Sequence, residues 1–145
     1  MSHVEVAVTV QHDPSHAWEY YCNQTNLWWP AAMHTDPRTK RFTIDTYIGG
    51  KVYEDFGEGG GLIWAEVIGV DYTRSLQLKG HLTRQFGGPV ITFERFDFCP
   101  NDDGSTTLTY RMDIVGDMAE AGIKSLQDGW TDILTKHFKA YCDLH

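Results

Sequence analysis

The sequence predicts an α+β fold in which one curved antiparallel sheet wraps around a single long C-terminal helix. Three observations carry that expectation. A strictly alternating stretch, HVEVAVTV, stands near the start and runs directly into a short helical stretch. Six further strand-like stretches follow at even spacing, separated by hairpin-sized gaps. The last 28 residues then change period and step by three and four.

Each element has a local reason. In HVEVAVTV, Val4, Val6, Val8 and Val10 share one face, with Glu5, Ala7 and Thr9 on the other, which is the pattern of a half-buried strand. Asp13 is placed to cap a helix whose first residue is Pro14, and Ala17, Tyr20 and Tyr21 fall on one side of it. That short helical segment, read as two short helices, ends before LWWP, residues 27–30. The strand candidates are RFTIDTYI, KVYEDF, LIWAEVIGV, SLQLKGHL, VITFERFDF and TTLTYRMDIV. Turn chemistry separates them: GG at 49–50, GEGGG at 57–61, DYTR at 71–74, GGP at 87–89 and PNDDGS at 100–105. The glycine-rich GEGGG lacks a following lysine and helix, so it predicts a hairpin turn and not a phosphate loop. From about 118 to 142, Ile123, Leu126, Trp130, Ile133, Leu134, His137, Phe138 and Tyr141 form one apolar helical stripe, with Gly122 and Gly129 as weak points. No repeat or linker interrupts this order, so residues 1–145 read as one domain.

Composition excludes several classes of function. A net charge of −8 without a Lys/Arg cluster repels phosphate backbones, so nucleic acid is not expected as a partner. No apolar run approaches the roughly 20 residues that span a bilayer, and MSHVEVAVTV has no secretory pattern. Cys22, Cys99 and Cys142 are odd in number and far apart, as reduced cytoplasmic thiols are. The seven histidines show no close metal-ligand spacing. No metal and no cofactor are expected, and no nucleophile motif or catalytic residue stands out. The aromatic share is 13%, with five Trp, seven Tyr and seven Phe, which fits either a bulky core or an aromatic-lined pocket.

Several strings, taken in order, resemble the START-like helix-grip (SRPBCC) superfamily. They are AWEYYCNQTNLWWP, IGGKVYED, IWAEVIGVDYTRSLQL, DGSTTLTY and DGWTDILTKHFKAY. The branch they are most similar to is the one related to the activator of heat-shock protein 90 ATPase, whose members carry WWP after the first helix and GW in the last. Two positions depart from that pattern: YTRSL at 72–76 keeps only Arg74 and Leu76 of the family turn, and Ala65 stands where relatives carry Gly. The resemblance implies a helix-grip fold, often with a cavity between terminal helix, sheet and short helices. It also implies a choice of roles: chaperone cofactor, carrier of an apolar molecule, or aromatase/cyclase-like enzyme.

The leading expectation is binding of a small apolar molecule in that cavity. The alternatives are a module acting on a chaperone, or a cyclase- or isomerase-like enzyme using pocket acid/base groups. One of Trp28 and Trp29 is expected to form a cavity wall and the other to pack beneath the loop. Tyr53 is placed inward and Glu54 outward against a basic neighbour, because a phenol is cheaper to bury than a carboxylate. Trp64, Tyr110 and Met112 are assigned to the walls by strand phase, and Trp130, Leu134 and Tyr141 by helix period, with His137 at the cavity edge. Glu94 is the open case: VITFERFDF carries apolar residues on both faces, and the solvated or structurally paired reading leads.

Overall fold

The computed structural model describes residues 2–145. Its frame is one seven-stranded antiparallel sheet in the order β1-β7-β6-β5-β4-β3-β2. Strand β1 (Ser2–Val10) buries its four valines and exposes the residues between them, as the alternation requires. It lies at one edge and pairs only with β7 (Thr106–Val115). Strand β2 (Arg41–Ile44) forms the opposite edge.

The segment between these edge strands therefore has to cross the whole sheet. It does so through α1 (Pro14–Trp18), a π-helical turn (Glu19–Asn23), α2 (Thr25–Trp28) and a 3-10 turn (Ala31–Met33). Asp13 caps α1 by accepting from the His16 backbone N–H at 2.9 Å. Strand β2 is shorter than the stretch RFTIDTYI suggested. The chain turns at Asp45–Gly50, where the Gly50 N–H donates to the Tyr47 carbonyl, and Tyr47 and Ile48 stand exposed.

Hairpins join β3 (Lys51–Gly57), β4 (Gly60–Asp71), β5 (Ser75–Leu82), β6 (Val90–Pro100) and β7. The GEGGG stretch is the β3–β4 turn, with Gly57 paired to Gly60. Register shifts at Val52/Tyr53, Asp55/Gly57 and Val67/Gly69 mark bulges in β3 and β4. Bulges bend and twist a strand, and here they curl this side of the sheet.

The terminal helix runs through α3 (Glu120–Asp132), a π-helical stretch (Ile133–Phe138) and α4 (Lys139–Asp143), close to the span predicted from its period. Its two halves differ. Ile133, Leu134, Phe138 and Cys142 are fully buried, and each apolar side chain buried this way stabilises by roughly 1.5–3 kcal/mol. In α3 no residue is fully buried; Ile123, Leu126 and Trp130 are only partly covered. Side-chain hydrogen bonds hold α3 to the β1 edge: Gln127 Nε2 donates to the Glu5 carbonyl at 2.9 Å, and the Glu5 N–H donates to Gln127 Oε1 at 3.2 Å. The helix is thus tied down on the β1 side, and its first half overhangs the curled β2–β5 side. No helix among the described residues is long and apolar enough to cross a membrane.

Candidate functional site

Beneath that overhang lies a cavity of about 350 Å³. Phe42 and Ile44 of β2, Val52 and Glu54 of β3, Trp64 and Ala65 of β4, and Leu78 and Leu82 of β5 contribute to one wall. Thr92, Glu94 and Phe96 of β6 continue it, with Met112 of β7. Leu126, Gly129, Trp130 and Ile133 supply the helix side. A shallower outer groove, formed with Lys124, Asp128 and Asp132, shares Met33, Ser125 and Gly129 with the cavity. An added Cβ at Gly129 would meet nothing within 4 Å, so the helix is bare at the point common to both spaces.

The aromatic rings of the walls brace one another. Trp29 stacks on Phe42 with centroids 3.9 Å apart and planes 3° from parallel, and it meets Trp130 edge-on at 5.9 Å. Trp130 stacks in turn on Tyr110 at 4.1 Å, and Tyr110 packs on Phe96 at 4.7 Å. Trp64 leans on Phe86 at 4.8 Å.

Two carboxyl groups interrupt this apolar lining. Glu94 is 9% exposed, and its carboxyl accepts from the Tyr110 hydroxyl at 2.6 Å and the Thr92 hydroxyl at 3.1 Å. Burial raises its pKa, and the two hydroxyl donors offset that only in part. Tyr110 is pushed well above its ordinary value, first by its own burial and then by Glu94 beside it. Room for the Glu94 carboxyl comes from Gly80 on the adjacent strand. A Cβ there would sit 2.6 Å from Thr92 Oγ1 and 2.7 Å from Glu94 Oε2. Glu54, 2% exposed, is held by four neutral donors: the Thr35 N–H at 2.9 Å, the Thr35 hydroxyl at 3.2 Å, the Thr39 hydroxyl at 2.9 Å and the Trp64 indole at 2.9 Å.

Of the residues singled out in the sequence, Trp29, Trp64, Glu94, Met112 and Trp130 line the cavity together. The others need correction. Trp28 is not a wall: its indole donates to the Tyr20 carbonyl at 2.8 Å, and its ring fills the core between Tyr21 and Phe138. Tyr53 faces away from the cavity, its ring beside the Arg41 guanidinium at 5.9 Å, and Glu54 takes the inward position. Four donors make the carboxylate cheaper to bury there than the phenol, which reverses the expected order. Glu94 takes the inward phase with Thr92 and Phe96, leaving Ile91 and Phe93 partly exposed outside. Tyr110 stands behind Trp130, which covers it, and reaches the site only through Glu94. Leu134, His137 and Tyr141 follow Ile133, the last helix residue on the cavity, and lie beyond the overhang. Leu134 is sealed in the core, His137 is half-buried off the cavity, and the Tyr141 hydroxyl bonds Gln24.

Phe42, Ile44, Val52, Leu78, Leu82, Phe86 and Met33 went unassigned in the sequence. Alternation in β2, β3 and β5 could have marked the first five; nothing local marks Phe86 or Met33. Among the described residues no cluster of three His, Cys, Asp or Glu side chains could hold a metal ion. Cys22 and Cys142 are buried, and burial holds both thiols protonated, with Cys142 pushed up to about 12.

No family model and no curated protein sequence matches the chain. Solved structures do. Protein MLL2253 from Mesorhizobium loti is similar over 98% of this chain and 97% of its own, with a TM-score of 0.74 and 17% identity. DynU16, a protein of the dynemicin biosynthetic locus, matches 99% of this chain at a TM-score of 0.71 and 18% identity; the chain spans 48% of DynU16. CalU16 from Micromonospora echinospora matches 96% of this chain and 73% of its own, with a TM-score of 0.66 and 13% identity. At such identities the likeness concerns the fold, and it agrees with the curled sheet and terminal helix described above. The chain has an α+β helix-grip fold, a curled antiparallel sheet with a long C-terminal helix.

Proposed function

We propose that the chain binds one small, mostly apolar molecule in the cavity between sheet and helix, without covalent chemistry, in the cytoplasm. The carrying observation is the cavity. Protein interiors leave few voids larger than a water molecule. A space of about 350 Å³ walled by mutually stacked aromatic rings is therefore one the fold maintains. It falls within the roughly 300–1,000 Å³ of small-molecule sites, and an apolar wall with few polar groups is their usual composition. The likeness to DynU16 lends support, since a biosynthetic locus is a setting in which small molecules are made. The resemblance to the activator of heat-shock protein 90 ATPase supports a chaperone-cofactor role instead, but such a module has no need of an open interior.

One observation favours a catalytic reading. Glu94 is a buried carboxyl on the cavity wall, paired to a tyrosine hydroxyl and biased by burial towards its acid form. Native mass spectrometry of protein purified from its own host separates these readings. Binding predicts a stoichiometric small molecule, released unchanged on denaturation. A recovered molecule that is transformed on incubation makes the protein an enzyme. Bare protein that binds no apolar probe leaves the chaperone reading standing.

A further inference from the structure

On the reading that the cavity is a ligand site, proposed above, the charges of its lining narrow the class of ligand. Two carboxyl groups, those of Glu54 and Glu94, belong to the lining, and no lysine or arginine does. Buried charges are ordinarily paired with an opposite charge. These two are not: none of the ion pairs formed among the described residues includes Glu54 or Glu94. The one lining residue able to carry a positive charge, His81, is exposed and forms no ion pair with either. Glu54 accepts from the Thr35 N–H and the Trp64 indole, which can only donate, and from two hydroxyls, the surroundings a carboxylate calls for. Neutral donors hold such a charge in place and do not cancel it. The cavity is therefore a negative, largely apolar space, inside a chain whose net charge is −8.

Glu94 is the carboxyl within a ligand's reach. It points inward from a central strand and is 9% exposed, against 1% for Thr92 and Phe96 on either side of it, so its exposure opens on the cavity. Its oxygens accept one hydrogen bond each, Oε1 from Tyr110 and Oε2 from Thr92. A carboxylate offers about four acceptor sites, so each oxygen keeps room for a further donor. Trp64, Phe86 and Trp130 add aromatic faces to the lining, and such faces attract a cation as well as an apolar body. We infer that the ligand is an organic amine bound as its ammonium cation, its apolar body among the aromatic walls and its charged nitrogen against the Glu94 carboxylate. Burial alone biases Glu94 towards its acid form, and a cation seated beside it draws it back to the carboxylate. An ammonium gives up its water on entering, and a carboxylate that the fold has already dehydrated offsets that loss. A ligand carboxylate would meet no positive group inside.

Four probes of matched shape test this by equilibrium dialysis at neutral pH: ethylnaphthalene, naphthylmethanol, naphthylmethylamine and naphthoate, all substituted at the same ring carbon. The amine, protonated at that pH, is expected to bind about ten- to a hundredfold more tightly than ethylnaphthalene, the ratio that a hydrogen bond to a charged group supplies. The alcohol, a neutral donor, should gain only about three- to tenfold. Naphthoate should bind at least about tenfold more weakly than ethylnaphthalene. Glu94→Gln keeps the shape and an amide oxygen for Tyr110 while removing the charge, so the advantage of amine over alcohol should vanish. A readout on the unmodified protein needs no variant: nuclear Overhauser contacts should join the aminomethyl protons of the bound amine to the Met112 methyl, because Met112 lies directly across from Glu94 on β7. An amine that binds no better than the alcohol, or a naphthoate that binds as well as ethylnaphthalene, would overturn the cation assignment and leave the cavity a ligand site. An amine advantage that survives in Glu94→Gln, or aminomethyl protons without contact to Met112, would overturn the seat on Glu94. If none of the four probes binds, the ligand-site reading itself fails.

Discussion

Replacing Tyr110 by Phe isolates the hydrogen bond that settles Glu94 inside the protein. The ring at 110 is fully buried and packed between Phe96 and Trp130, so phenylalanine keeps that packing and removes only the hydroxyl. What is lost is a 2.6 Å donor to Glu94 Oε1, leaving the Thr92 hydroxyl at 3.1 Å. A bond between neutral partners contributes about 0.5–1.5 kcal/mol, and one to an ionised group about 1.5–3 kcal/mol. The loss should therefore depend on pH. Glu94 has a folded-state pKa above the ordinary 4.5, so the folded state holds its proton more tightly than the unfolded chain. This group's contribution is most favourable at acid pH and declines as pH rises from 4.5 through the raised value. Removing the Tyr110 donor takes away part of what favours the carboxylate, so in the variant the decline is steeper and runs further. Urea unfolding followed by tryptophan fluorescence should give a loss of about 1 kcal/mol in acid, growing to about 2–3 kcal/mol once the pH has risen above the raised pKa of Glu94. A loss that is the same at every pH, or larger in acid, would refute the assignment of Glu94 as a buried group whose ionisation Tyr110 eases.

Three further substitutions test the geometry around the cavity. Gly80→Ala should cost about 1–3 kcal/mol or more in urea melts, because its Cβ would press on Thr92 Oγ1 at 2.6 Å and on the Trp64 backbone carbonyl at 2.9 Å. Gly129→Ala should do the opposite and stabilise the free protein by up to about 1 kcal/mol, since the new methyl meets nothing and the helix loses a glycine. Glu54→Leu should lower the unfolding free energy by about 2–4 kcal/mol, because the Trp64 indole and the Thr35 N–H lose their acceptor together.

The sequence showed the architecture more clearly than the site, for physical reasons. The alternation of Val4 to Val10 and the three–four stepping from Ile123 to Tyr141 are set by local geometry, and both elements stand where the pattern put them. The period does not say how far along a helix the sheet stays close. Leu134, His137 and Tyr141 share the stripe with Trp130 yet lie beyond the overhang, because Gln127 and the β1 edge decide where the helix is held. Tyr53 and Glu54 were placed in reverse order because the donors that make Glu54 cheap to bury come from Thr35, Thr39 and Trp64, none adjacent to it in sequence. Glu94 was undecidable from VITFERFDF because Ile91 and Phe93 are as apolar as Phe96 and Phe98. The partners that draw it inward, Tyr110 and the space left by Gly80, lie on neighbouring strands.

The central claim is that the space beneath α3 is a maintained cavity that takes an apolar ligand. Met112→Trp, compared with the unmodified protein for both stability and binding of an apolar fluorescent probe, tests it most directly. Met112 lines the cavity, so the added ring should enter open space. Probe binding at about 1 μM is expected in the unmodified protein, about −8 kcal/mol, and should be abolished in Met112→Trp with a stability change below about 1 kcal/mol. An unmodified protein that binds no probe, together with a variant destabilised by about 1–3 kcal/mol or more as in an overpacked core, would contradict it.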